Sequence, residues 1–161
     1  IDTSMGLTPT GGIPMSTRTG DLDPGILIFL MRNNRLDADA LETLLNRQSG
    51  LAALSRGESD MRRLKAAMES GDKNAALAIH VFTTAIRKFI GSYAAELGGL
   101  DLLIFTGGIG QHSSFVRRLV CHGLEFLGIR SGEEGPGSKI LALPSDEETQ
   151  IARHARRLLS H

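Results

Sequence analysis

The chain has no tryptophan, a single cysteine, and aromatic residues at only 4%. Cys121 has no second cysteine to pair with, so neither an internal disulfide nor a cysteine-built zinc site can form. No run of about 18 apolar residues occurs, so no helical membrane span is expected. Basic and acidic side chains balance at 18 each, giving a formal net charge of zero. With no basic excess to release counterions, nucleic-acid binding through a charged face is not expected. A signal-peptide pattern is missing, and a cytoplasmic protein is the expectation. There is no Pro- or Ser-rich linker, internal repeat or low-complexity segment.

Hydrophobic residues make up 41% of 161 positions, enough to build a core in one domain or two small ones. Glycine is abundant, at 19 residues. The chain opens on Ile1 rather than methionine, which leads us to expect a piece of something longer.

Residues 1–25 carry many turn formers and no apolar period, so an ordered loop region or short strands are expected. Asp23 and Pro24 read as a helix N-cap and first position, followed by an apolar helix start at 26–31. A second helix is expected over 37–46, and a third from Ser59 and Asp60 to about residue 70. The strongest helical pattern covers 74–97, where Phe82, Ile86, Phe89, Ile90, Tyr93 and Leu97 share one face. The run 100–105, LDLLIF, predicts a strand buried on both faces. TGGIG at 106–110 predicts a glycine turn, and 113–126 a helix. A loop is expected at 131–138, a strand at 139–143, and a last helix capped by Asp146 with Ile151, Leu158 and Leu159 apolar. Strand and helix alternate in the second half, so the fold class expected is α/β with parallel strands.

Four stretches could carry chemistry. The first is the strand, glycine turn and helix around 107–110: glycines let a phosphate approach, and N–H groups at a helix start attract it. The same glycines could simply make a tight turn. The segment is not a Walker A loop, because no Gly-Lys-Ser/Thr follows. It falls short of a dinucleotide fingerprint because Ser113 stands where the third glycine would be, and the strand count is low for a Rossmann dehydrogenase. The second is TRTGDLDP at 17–24, where Arg18 could clamp a phosphoryl or carboxylate group or lie solvated beside a capping aspartate. The third is SDMR at 59–62, a helix cap by default. The fourth is PSDEE at 144–148, whose carboxylates could order water around Mg²⁺ or could serve only the helix dipole. Of the five histidines, only His112 is placed for function; Cys121 reads as a small buried hydrophobe.

The order of these blocks says more than any one of them. DTSMGLTP at 2–9, TRTGDLDPG at 17–25, SGL at 49–51, SDMR at 59–62, GSYAAELGGLD at 91–101, IFTGGIG at 104–110, LEFLGI at 124–129 and PSDEETQIAR at 144–153 together resemble acetate kinases and related propionate kinases. The resemblance is to the C-terminal part of that family and covers nearly the whole chain.

The resemblance implies a ribonuclease-H-like domain of the actin, Hsc70 and sugar kinase superfamily, with helices on a small mixed sheet. It implies that residues 1–161 are a C-terminal nucleotide-binding and dimerisation domain without its N-terminal partner. The implied activity is transfer of the ATP γ-phosphoryl group to acetate or a similar short carboxylate, with Mg²⁺, in a homodimer. Arg18 is implied as the arginine that holds carboxylate and phosphoryl group. Asp60, Met61 and Arg62 would line the adenosine pocket. Gly108, Ile109, Gly110, Gln111 and His112 would bind nucleotide, and Glu147 would sit near magnesium. Three departures are visible. The N-terminal half and its phosphate-binding His-Leu-Gly-Asn-Gly segment are missing, Gln111 replaces a usual glutamate, and the stretch 129–139 is short. The chain alone is therefore expected to be inactive. The alternative is a nucleotide-binding or dimerisation module without catalysis.

Overall fold

The computed structural model describes residues 1–130, 132 and 139–159. Two compact units form, Ile1–Gly98 and Gly99–His161.

The first unit is helical. Asp23 caps α1 (Pro24–Asn33) by accepting from the Gly25 N–H, with Pro24 at its start, as the sequence implies. Asp37 caps α2 (Ala38–Arg47), Asp60 caps α4 (Met61–Glu69) and Asp72 caps α5 (Lys73–Leu97). Between α2 and α4 lies the short α3 (Gly50–Leu54), which the pattern of five residues was too brief to announce. Helices α3 and α4 both pack on α5. The core here is Leu41, Leu51, Met61, Leu64, Ile79 and Phe82, with small residues Ala75, Ala78 and Ala94 at the contact. The buried stripe of α5 is only partly the one expected: Phe82 and Ile90 are buried. Leu97 is exposed and Ile86, Phe89 and Tyr93 are half-buried, because alanines and Thr83, rather than large residues, make the close approach.

The second unit holds β1 (Leu103–Phe105), α6 (Gly107–His112), α7 (Ser114–Cys121), a 3-10 turn (Glu125–Leu127), β2 (Ile140–Ala142) and α8 (Glu147–Leu159). Among the described residues the sheet has two strands, with β1 parallel to β2 and Ile104 opposite Leu141. The parallel pairing matches the expectation; the small mixed sheet does not, since both described strands run the same way. Nor is β1 buried on both faces: Phe105 is buried, but Ile104 is 48% exposed. The glycine turn is also corrected, because residues 107–112 close into a helix after Gly107 takes φ +71°. The helix expected over 113–126 stops at Cys121. Gly123 turns left-handed, and Leu124 is buried beyond the break rather than on the helix face. Val116, Val120, Cys121, Leu124, Ile129 and Ile140 form this unit's core. Ile151, Leu158 and Leu159 of α8 are exposed, as are Ile28 and Phe29 of α1. The loop expected at 131–138 lies outside the described residues except at Gly132, so the short 129–139 stretch is described only in part.

Among the described residues no helix is long and apolar enough to cross a membrane.

Candidate functional site

Arg18 sits at the tip of a closed loop. Gly12 and Asp21 join the loop's two sides. The Asp21 N–H donates to the Gly12 carbonyl at 2.9 Å, and the Gly12 N–H donates to Asp21 Oδ1 at 2.7 Å. Gly20, at φ +72°, has no room for a Cβ, which would fall 2.6 Å from the Gly12 carbonyl oxygen. Arg18 is half-buried, with Nη1 3.7 Å from Met15 Sδ and no ion pair among the described residues. Its guanidinium fork is thus available to an anion. It lines a polar cavity of about 530 Å³ together with Thr10, Asp39, Glu42, Asn46 and Arg47.

Asp60 works first as a cap. Its Oδ1 accepts from the N–H groups of Arg62 (2.9 Å) and Arg63 (3.2 Å). The Arg62 side chain folds back on the same carboxylate, with Nη2 3.1 Å from Oδ2. That side-chain hydrogen bond, helped by the Arg63 and Arg62 backbone N–H groups and the arginine charge, lowers the Asp60 pKa to about 2. The same pairing raises that of Arg62. Met61 is buried at 6% exposure, so its side chain serves the core.

Helix α6 carries Gly108, Ile109, Gly110, Gln111 and His112. Thr106 stands at its N-cap without a side-chain capping bond. Its far end is held by Arg117, 7% exposed, whose Nη1 donates to the carbonyls of Gly110 (2.7 Å) and Gln111 (2.8 Å). Sequence reading missed Arg117, which looked like one more charge on an amphipathic helix. Its signal was a charge on the apolar side of α7, next to Val116 and Val120.

Glu147 lies in the exposed first turn of α8 beside Glu148. Among the described residues no three His, Cys, Asp or Glu side chains converge on a metal-sized site. One exposed carboxylate nevertheless suits Mg²⁺, which keeps most of its waters and takes phosphate oxygens as ligands.

A larger cavity of about 840 Å³ was also missed. His80, Thr84, Lys88 and Ser92 line it from α5, facing Asp21 and Ser49. The Thr84 hydroxyl there is buried without a hydrogen-bond partner among the described residues. The signal for it was the four-residue spacing of that polar stripe along α5. His122 lies 3.8 Å from Glu125 on an exposed surface and belongs to neither cavity.

Arg18 and Asp60 belong to the first unit, and the α6 glycines and Glu147 to the second. A profile described as the acetokinase family matches residues 1–153, and the chain belongs to that family. It is 44% identical to the acetate kinase of Treponema denticola over 99% of this chain and 44% of that protein. The crystal structure of Porphyromonas gingivalis acetate kinase superposes with a TM-score of 0.85 at 38% identity, covering 97% of this chain and 43% of that one. A propionate kinase from Francisella tularensis superposes equally well, TM-score 0.85 at 37% identity, over 94% of this chain and 42% of that one. The chain thus spans less than half the length of the relatives it matches.

Proposed function

We propose that this chain is the C-terminal, ribonuclease-H-like, nucleotide-binding domain of a kinase that phosphorylates a short carboxylate, acetate or propionate, at the expense of ATP. The observation that carries the reading is the Arg18 loop: a half-buried guanidinium without an ion pair among the described residues, held by a closed backbone in a polar cavity. Support comes from relatives named as acetate and propionate kinases.

Arg18 would bind the carboxylate and neutralise charge on the phosphoryl group as it moves. Asp60 and Arg62 would face the adenosine, with Met61 anchoring the start of α4. The α6 segment from Gly108 to His112 would contact nucleotide. Glu147 would hold Mg²⁺ among waters and phosphate oxygens, and the ion would supply charge neutralisation on the phosphates. No residue described here abstracts a proton from the substrate, and none is required, because a carboxylate is already ionised near neutral pH. The remaining groups would come from the portion that the longer relatives possess. On this reading residues 1–161 alone do not turn over. The exposed apolar residues Ile28 and Phe29 on α1 favour burial against another chain, consistent with a homodimer.

The test is Arg18→Ala in a full-length polypeptide that joins residues 1–161 to the N-terminal portion of the Treponema denticola relative. Turnover should fall by about 10³–10⁵, with a much smaller change in ATP affinity. Unchanged turnover would remove Arg18 from the reaction.

A further inference from the structure

The loop that carries Arg18 does not hold its shape alone. It is bound along one side by the segment that joins α2 to α3. The Thr19 N–H donates to the Leu45 carbonyl at 3.1 Å, and the Ser49 N–H to the Thr17 carbonyl at 3.0 Å. The N–H groups of Leu51 and Ala52 donate to the carbonyls of Met15 and Ser16, both at 2.9 Å. Thr17 Oγ1 adds a bond to the Asn46 carbonyl at 2.8 Å, and Asn46 Oδ1 accepts from Thr10 Oγ1 at 2.6 Å. Each residue from Met15 to Thr19 except Arg18 is tied to this segment. Arg18 instead turns its carbonyl inward, accepting from the Met15 N–H at 3.0 Å.

Gly50 lies under that turn. It is buried, with φ +64°, and a Cβ there would stand 2.7 Å from the Arg18 carbonyl oxygen and 2.9 Å from the Arg18 nitrogen, closer still to the Met15 carbonyl. The obstructing atoms are all backbone, so no side chain can swing aside. Any side chain at position 50 must lift the Arg18 peptide or break the ladder of bonds around it.

We propose that Gly50 and the Thr17 hydroxyl are positioning residues that aim Arg18, and that they set the rate of phosphoryl transfer through that arginine. The inference rests on the role assigned to Arg18 above. Groups that stabilise a moving phosphoryl act through geometry, and a displacement near 1 Å can cost about 10²-fold in rate.

The experiment uses the joined full-length polypeptide. Gly50→Ala should lower kcat by about 10–100-fold while leaving the KM for ATP within about twofold. Thr17→Val, which keeps the shape and loses the hydroxyl, should lower kcat by a smaller factor, and Thr17→Ser should restore it. Both losses should vanish in an Arg18→Lys background, where the two-pronged guanidinium is already gone, leaving less than about a twofold further change. A merely structural role would give the same fold-loss in both backgrounds, and that result overturns the proposal. So does full kcat in both Gly50→Ala and Thr17→Val. If Gly50→Ala fails to fold, the Thr17 pair decides. Wild-type turnover in Arg18→Lys sinks the assignment of Arg18 itself, a result separable from the failure of Gly50.

Discussion

Replacing Arg117 by methionine keeps most of the apolar stem and removes the charged head. The head donates to two carbonyls at the end of α6, those of Gly110 and Gln111, at 2.7 and 2.8 Å. Carbonyls in the last turn of a helix have no partner within it, and α6 is only six residues long, so it cannot share the loss. A hydrogen bond to a charged donor is worth about 1.5–3 kcal/mol. These two share one nitrogen, and both acceptors are half-buried and so reachable by water, so the two bonds should not add in full. We expect a cost of about 2–3 kcal/mol, concentrated in α6. At about 1.4 kcal/mol per factor of ten, the helix should open some 30–150-fold more often. Hydrogen exchange reads this directly. The Ser113 N–H, which donates to the Ile109 carbonyl at 3.0 Å, should exchange faster by about that factor. Amides on α5, in the other unit, should keep their wild-type rates. Wild-type protection at Ser113 in Arg117→Met would refute the account of α6.

Two further outcomes follow. Asp60 has its pKa lowered in the folded state to about 2, from an ordinary 3.8. The stability it contributes is therefore complete above about pH 4 and is lost as the pH falls towards 2; Asp60→Asn should flatten the decline of Tm over that window, and parallel curves would count against the pairing with Arg62. Leu64 is fully buried where α4 meets α5; Leu64→Ala should cost about 3 kcal/mol in urea unfolding followed by an α5 probe, and a loss below about 1 kcal/mol would mean that the core has been misplaced.

Two helix starts were legible because a single side chain decides each one: Asp23 and Asp60 cap as their positions suggest. The parallel pairing of the two strands was legible from the alternation of strand and helix. The buried face of α5 was legible only at Phe82 and Ile90, because close packing chose Ala75, Ala78 and Ala94 over the other large residues that dominate a periodicity reading. Residues 107–112 misled for a related reason. Glycines that suit a turn also tolerate a helix when something caps its far end, and the cap, Arg117, comes from the next helix along the chain. Arg18 could be singled out from its motif, but the segment that aims it could not. The bonds from Leu45, Asn46, Ser49, Leu51 and Ala52 are nearly all backbone to backbone and cross some thirty residues of sequence. Only Gly50 in the SGL block leaves a mark, and a glycine before an apolar residue has many ordinary explanations.

On the function proposed, residues 1–161 are one part of a machine that makes an acyl phosphate. The most direct measurement traps acyl phosphate as its hydroxamate from ATP, Mg²⁺ and acetate or propionate, using the chain alone and the joined full-length polypeptide side by side. Hydroxamate should form in step with ADP from the joined polypeptide and not at all from the chain alone. A folded, ATP-binding joined polypeptide that forms no hydroxamate with either acid, or robust hydroxamate from residues 1–161 alone, would contradict it.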